Sequence, residues 1–301
     1  FRIGEKPVIR SDMTAFIKMH GLGNDFIVLD ARELANRIPD VISEAAATVL
    51  ADRHFGIGCD QILVIRHSQR ADIFMQIFNS DGSTAAACGN GTRCVADHVM
   101  RQLGQDRLVI ETDAGILKSW RSAENPSLIA VDMGSVYLDW QAVPLAKEMD
   151  TLSVDLGPLA PVSAVCHSLG NPHAVMFVED AEMVDLAHIG PQLEYHPLFP
   201  ERANISFVHQ IGANKFRMRV WERGGGITFG CGSGACAVGV AVYRSGRGSR
   251  RNEIFMDGGS VSIDWQDDGT AGGRVIMCGP VSYVFDGILS TKLDGLLRAD
   301  K

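Results

Sequence analysis

The sequence predicts a mixed α/β (α+β) chain made of two similar domains. Short apolar strands alternate with only a few helices along its 301 residues. Two motifs recur in the same order: Leu-Gly-Asn at 22–24 and 169–171, and Cys-Gly-x-Gly at 88–91 and 231–234. The first pair lies 147 residues apart and the second 143. So long a period marks a duplicated domain, because solenoid repeats run only roughly 20–50 residues. The length agrees, since about two domains fit at roughly 100–200 residues each.

The elements follow in order. FIKMHG (16–21) and FIVLDAR (26–32) read as strands around a glycine turn. ISEAAATVLAD (42–52) reads as a helix, with Ser43 as its N-cap. Strands follow at 61–66 and 72–78, then an alanine-rich amphipathic helix at 88–103, then strands at 108–115 and 128–134. The second half repeats the style with strands at 174–180, 204–210 and 216–222. A helix at 231–245 is apolar nearly all round, which predicts burial. Strands at 253–257, 260–265 and 274–279 complete it, and a last strand near 281–286 returns to the first domain. The domains are therefore placed at 1–133, joined by 280–301, and at 134–279.

Composition narrows the function classes. With 46% hydrophobic and 21% charged residues, the chain is an ordinary globular one. A net charge of −8, with no basic stretch carrying interleaved aromatics, argues against nucleic acid as a partner. No apolar run approaches the ~18 residues of a membrane span. FRIGEKPVIRSD is too polar for a secretory h-region; Met13 reads as the natural start, and residues 1–12 as an extension. The seven dispersed cysteines then read as reduced, cytoplasmic thiols.

The chemistry concentrates at two of those cysteines. Cys88 and Cys231 each precede a Gly-x-Gly element that opens a helix. Unpaired N–H groups and the positive end of the helix dipole there favour a thiolate. Two such groups suit removal of a proton α to a carboxylate on one face and its return on the other. The backbone N–H groups of Gly89, Asn90, Gly232 and Ser233 are placed to hold the carboxylate as its charge grows.

Taken together, MHGLGNDFIVLDAR, DGSTAAACGNGTRC, SLGNPHAV, FPERANISFV and VWERGGGITFGCGSGACA closely resemble the diaminopimelate epimerase family. The resemblance runs from about Met13 to Gly287. It implies two similar domains, each a β-rich barrel-like sheet around a central helix, with the active site in the cleft between them. It implies a pyridoxal-phosphate-independent isomerase that interconverts LL- and meso-2,6-diaminopimelate in lysine and peptidoglycan-precursor synthesis. Cofactor and metal are both expected to be none. The partners are a small-molecule substrate and, in a cytoplasmic homodimer, a second copy of the chain, with no nucleic acid and no membrane.

Carried over by motif, Cys231 resembles the family's proton acceptor and Cys88 its donor. Gly89, Asn90, Gly232 and Ser233 would hold the reacting carboxylate. Asn24, Gln61, Asn79, Asn171, Asn204, Glu222 and Arg223 resemble substrate contacts, and His173 and Glu222 resemble residues that tune the cysteines. The chain departs from the family's pattern at three places. Ile227 stands where many members have glutamate, Phe229-Gly230 precedes Cys231 where alanine is usual at 230, and Phe285 replaces a tyrosine linked to dimer contacts.

Blander readings cover the remainder. Cys59, Cys94, Cys166, Cys236 and Cys278 sit in apolar or small-residue settings and read as buried hydrophobes. Zinc on Cys88, Cys94, Cys231 and Cys236 would need C-x5-C and C-x4-C spacings, which suit the usual knuckles poorly. His20, His54, His67, His98 and His188 read as surface or core histidines. Two alternatives to the epimerase remain: a related cofactor-independent racemase acting, for example, on histidine, and a non-catalytic metal-binding protein of the same fold.

Overall fold

The structure, a computed structural model, describes residues 13–32 and 38–299. The expected extension at 1–12 lies outside them. By their contacts the described residues form two units. The first holds 13–20, 25–32, 38–116 and 281–299; the second holds Gly21–Asn24 and Leu117–Pro280.

In chain order the first unit carries β1 (Ala15–Gly21), β2 (Asn24–Asp30), α1 (Glu44–Ala51), β3 (Gln61–Arg66), β4 (Ile73–Asn79), α2 (Gly89–Leu103) and β5 (Arg107–Thr112). Ser43 caps α1 as expected, its hydroxyl accepting from Ala46 N at 3.1 Å. Ala46, Ala47, Leu50 and Ala51 fall on one helical face and are buried against Ile27, Leu29, Ile62 and Val64. Helix α2 packs on β3 and β5 and ends at Gly104, which takes the left-handed φ of +66° that closes many helices.

The second unit carries β6 (Gly115–Arg121), β7 (Ile129–Asp132), β8 (Val165–Ser168), β9 (Pro172–Phe177), α3 (Leu186–Glu194), β10 (Asn204–Gly212), β11 (Lys215–Glu222), β12 (Gly226–Ile227), α4 (Gly232–Arg244), β13 (Arg251–Met256), β14 (Gly259–Gln266) and β15 (Arg274–Gly279). Helix α4 touches β8, β9, β10, β11, β13, β14 and β15, so the strands surround it. Its residues from Gly234 to Val242 are buried, as its all-round apolar sequence predicted. The chain then returns to the first unit with β16 (Ser282–Ile288), antiparallel to β1, and α5 (Thr291–Arg298).

The two units share a wiring pattern. In the first, β2 runs parallel to β3, β3 antiparallel to β4, and β4 parallel to β5, with α2 as the crossover. In the second, β9 runs parallel to β10, β10 antiparallel to β11, and β11 parallel to β13, with α4 as the crossover. The two Leu-Gly-Asn copies occupy the β1–β2 and β8–β9 turns.

The division falls at Ile116/Leu117, whereas the sequence reading put it near residue 133. Strand β7 pairs antiparallel with β15 and β6 with β7, which carries both into the second unit. The turn Gly21–Asn24 joins that unit as well, because Leu22 is buried in the core around α4. Five elements were not singled out in the sequence: β6, β8, β12, α3 and α5. Helix α3 contains Gly190 and Pro191, which break the helical signal. Asp185 starts it all the same, its carboxylate accepting from His188 N at 3.3 Å. Among the described residues, no helix is long and apolar enough to cross a membrane.

Candidate active site

In the first unit, Cys88 is the N-cap of α2, with extended backbone angles of −150° and 104°. Its Sγ accepts from Gly91 N at 3.3 Å, and its carbonyl accepts from Thr92 N at 2.8 Å. The cysteine is half-buried. Gly89 and Asn90 form the first turn, where backbone N–H groups have no helical acceptor. Asn90 is buried, and its Oδ1 accepts from Nη2 of the fully buried Arg93 at 3.0 Å.

Gln61 and Asn79 face each other across β3 and β4. Gln61 Nε2 donates to Asn79 Oδ1 at 2.9 Å, and Asn79 Nδ2 donates to Ser83 Oγ at 2.9 Å. Gln61 Oε1 is left as a buried acceptor with no hydrogen bond. A buried lone acceptor is costly, and a donor on a ligand would satisfy it.

In the second unit, Cys231 is the N-cap of α4 in the same manner, with angles of −102° and 110° and Gly234 N donating to Sγ at 3.3 Å. Ser233 Oγ lies 3.6 Å from the sulfur. Cys231 is buried, at 4% exposure, and burial pushes its thiol well above the ordinary value. The Glu222 carboxylate raises it further, while the Gly234 N–H and the Ser233 hydroxyl oppose the shift. The helix terminus was expected to favour a thiolate, but at Cys231 desolvation outweighs it. Glu222 in turn accepts a short hydrogen bond from Thr228 Oγ1.

A hydrogen-bonded chain leads back from Ser233. Asn171 Nδ2 donates to Ser233 Oγ at 3.3 Å, and Asn171 Oδ1 meets His173 Nε2 at 3.0 Å. With Oδ1 as acceptor, Nε2 carries the ring proton and Nδ1 keeps its lone pair, buried and unpartnered. Burial, with Arg223 nearby, lowers the His173 pKa to about 3, so the ring is neutral at physiological pH. Any tuning by His173 is therefore that of a neutral dipole.

Asn204 is turned inward. Its Nδ2 donates to Pro172 O at 3.0 Å and its Oδ1 accepts from Arg223 N at 3.0 Å. It thereby holds the backbone beside Asn171 and at Arg223. Arg223 is exposed, with Nη1 donating to Glu201 O at 3.1 Å. Asn24, half-buried, begins β2 beside Gly23, and Gly23 lies close against Phe229. Of the residues at which the chain departs from the family, Ile227 and Phe229 are exposed, at 44% and 66%. A Cβ on Gly230 would stand 3.2 Å from both Leu22 Cβ and Leu22 O, a tight contact that a small shift of Leu22 would relieve. Phe285 meets Phe16 edge-on at 6.0 Å.

Glu194, Thr228 and Ser83 also belong to these clusters and had no sequence signal. Glu194 lies in the helix that Pro191 hid, and hydroxyls in glycine-rich turns read as turn residues. A cavity of about 840 Å³ elsewhere in the second unit is lined by Lys215, Arg251, Glu253 and Cys278, among others, and by none of the candidate residues. Its charges are already paired, Lys215 with Glu253 at 3.3 Å and Arg251 with Glu124 at 2.6 Å. Among the described residues, no three His, Cys, Asp or Glu side chains gather as a metal site.

Comparison with known proteins gives the arrangement a family. The diaminopimelate epimerase family model matches residues 16–138 and 165–284. A diaminopimelate epimerase of Acidiphilium cryptum is 49% identical over 280 residues, covering 92% of this chain and 97% of its own. One of Rhodospirillum centenum is 50% identical over 289 residues, covering 95% and 96%. Among solved structures, a hydroxyproline epimerase from Agrobacterium vitis superposes with a TM-score of 0.64 at 15% identity, covering 94% of this chain and 95% of that one. A phenazine biosynthesis protein of the PhzF family from Bacillus anthracis gives 0.65 at 17% identity, covering 92% and 99%. These two show a shared fold. The relatives, near half identical over more than nine-tenths of the chain, show that this protein belongs to the diaminopimelate epimerase family.

Proposed function

We propose that this protein interconverts LL- and meso-2,6-diaminopimelate by proton transfer at one α-carbon between two cysteines. The observation that carries this reading is the pair of cysteine-capped helices, each with its sulfur 3.3 Å from the N–H of the last glycine of its Cys-Gly-x-Gly turn. Inversion demands one group on each face of the reacting carbon. The Cys231 thiolate takes the α-proton: the C–H bond breaks, an S–H bond forms, and the electron pair stays on the substrate. The Cys88 thiol then gives its proton to the other face. The developing charge spreads onto the substrate carboxylate, which the N–H groups of Gly89, Asn90, Gly232 and Ser233 stabilise.

Buried Cys231 rests as a thiol, so it must first lose a proton. The Glu222 carboxylate, whose charge already acts on the sulfur, is the group placed to accept it. His173, Asn171 and Ser233 keep the other side of the sulfur in a fixed hydrogen-bonded frame. The scheme needs neither cofactor nor metal. Arg223 and the acceptors of Gln61 and Asn79 suit the carboxylate and ammonium at the distal end of the substrate. The reading carries with it a cytoplasmic setting and a homodimer. The dimer draws support from edge strand β16, which exposes Tyr283, Val284 and Phe285.

The test is NMR in D2O with a panel of amino acids. Diaminopimelate should gain α-deuterium and exchange its LL and meso forms, while L-lysine and L-histidine should exchange very poorly. L-lysine lacks only the distal carboxylate, so a site built to pair that group rejects it. Comparable exchange of L-histidine or L-lysine would replace this reading with a broader racemase.

A further inference from the structure

Among the buried carboxylates that the proposed reaction does not use, one borders its machinery. Glu194, at the C-terminal end of α3, is only 2% exposed. Three donors converge on it. Its Oε2 accepts from Trp221 Nε1 at 2.6 Å, and its Oε1 accepts from Gly224 N at 2.9 Å and Arg202 Nη1 at 3.3 Å.

Trp221 and Gly224 are the residues immediately before and after Glu222-Arg223. Glu194 therefore grips both ends of the dipeptide whose side chains serve Cys231 and the distal carboxylate. A fourth bond, Arg223 N to Asn204 Oδ1 at 3.0 Å, fixes its middle. Arg202, which shares the carboxylate, holds a left-handed φ of 60°, unusual for a residue with a side chain. That conformation persists only where the surroundings over-determine it.

The chemistry of this grip requires a carboxylate. All three partners are donors, and only a group with acceptors on both oxygens satisfies them. An amide would set its NH2 against the indole N–H, or against Gly224 N–H and the guanidinium. Burying a charge costs desolvation, and well-packed apolar side chains often hold a helix on a strand at no loss of stability. A buried charge that bonds both flanks of a functional dipeptide fits a geometric role better than a merely cohesive one.

We propose that Glu194 is a positioning residue: it fixes the 221–224 segment so that Glu222 stands against the Cys231 thiol and Arg223 faces the distal carboxylate. The proposal rests on the epimerase reading, and one arm of its test does not. Three variants are compared: Glu194→Gln, Trp221→Phe, and the two combined. Glu194→Gln should lower kcat/KM for diaminopimelate by about 10²-fold, the scale of a small misplacement of reacting groups. The double variant should recover about 10-fold over Glu194→Gln, because removing the indole donor frees that side for the amide NH2 while Oε1 still accepts from Gly224 and Arg202. A purely structural role predicts the opposite, since two core substitutions add their damage.

The substrate-free arm follows alkylation of Cys231 with pH, mapped by mass spectrometry. Glu194→Gln should move the midpoint downward, as displacing the Glu222 carboxylate removes its charge from beside the thiol. This arm stands even if the wild type fails to act on diaminopimelate. Should Glu194→Gln not fold, Trp221→Phe alone carries the test, with a lowered kcat/KM and a narrowed preference for diaminopimelate over L-lysine. The proposal is overturned if Glu194→Gln keeps its kcat/KM within about twofold, if the double variant is no better than the single one, or if the Cys231 midpoint does not move. It is likewise overturned if Trp221→Phe, tested alone, matches the wild type.

Discussion

Cys88 and Cys231 are the same device in two settings. Each caps a helix with its sulfur, each accepts from the N–H three residues on at 3.3 Å, and each is followed by a parallel crossover in its own unit. The difference lies in what surrounds the sulfur. Cys88 is half-buried, whereas Cys231 is closed in at 4% exposure with Glu222 acting on it. A helix terminus contributes about half a unit charge over one turn. At Cys231, loss of water and a neighbouring carboxylate overcome that contribution. One duplicated motif thus places two cysteines in unlike settings, one partly open to water and one closed in beside a carboxylate.

The largest effect comes from removing either group. Cys88→Ala and Cys231→Ala should each lower LL-to-meso turnover by at least about 10³-fold, within the range expected of a lost acid or base. Circular dichroism should show both variants folded, since each change trims a single sulfur. Near wild-type epimerisation by either would end the two-cysteine scheme and leave the likeness of the caps as a relic of duplication.

That likeness was legible in the sequence, and the difference was not. Cys-Gly-x-Gly at 88–91 and 231–234 announces two caps because glycines and a small polar side chain at a helix start are local features. So are the apolar runs that became β3, β4, β10 and β11, and the all-round apolar helix α4. The electrostatics depend on distant chain. Glu222 reaches Cys231 from the end of β11, and His173 joins through Asn171 in the β8–β9 turn. The motif resemblance named these residues, but only the fold buries His173, which keeps its ring neutral, and brings the Glu222 carboxylate to bear on Cys231. Asn204 shows a second thing the motif did not tell: its amide also ties together the backbone at Pro172 and Arg223. Glu194 was invisible because its helix carries Gly190 and Pro191.

A middle-sized effect sharpens the contrast in setting. Iodoacetamide attacks thiolates, so modification of each cysteine follows its own titration. A raised pKa keeps Cys231 protonated at neutral pH, and its thiolate appears only as pH climbs towards the raised value. Cys88, which is half-buried and open to the reagent, should be alkylated first, and buried Cys231 only in alkaline buffer. Glu222→Gln should lower the Cys231 midpoint by removing a like charge, yet lower kcat by about 10-fold or more through loss of the proton acceptor. Reactivity and turnover would then move in opposite directions. A Glu222→Gln variant with an unchanged Cys231 midpoint would show that burial alone sets the thiol.

The smallest effect separates the two helix starts by packing. Gly91 and Gly234 each donate to a cysteine sulfur, and neither has room for a methyl group. A Cβ on Gly91 would come within 2.9 Å of Leu63 Cδ1 and 3.2 Å of its Cδ2, in a fully buried, branched side chain. On Gly234 it would meet Met218 Cε at 2.8 Å, the far end of an unbranched chain that can swing aside. Overpacking against rigid neighbours costs about 1–3 kcal/mol. Gly91→Ala should therefore lower Tm by several degrees, and Gly234→Ala by less. The order should reverse in activity. A Gly234 methyl would press to 3.2 Å from the buried Cys231 Sγ, whereas a Gly91 methyl would stay 3.4 Å from a Cys88 that has solvent on one side. Calorimetry and kcat measured on the same two variants check this, and a single variant that is worse on both counts would mean that the two caps differ in packing alone.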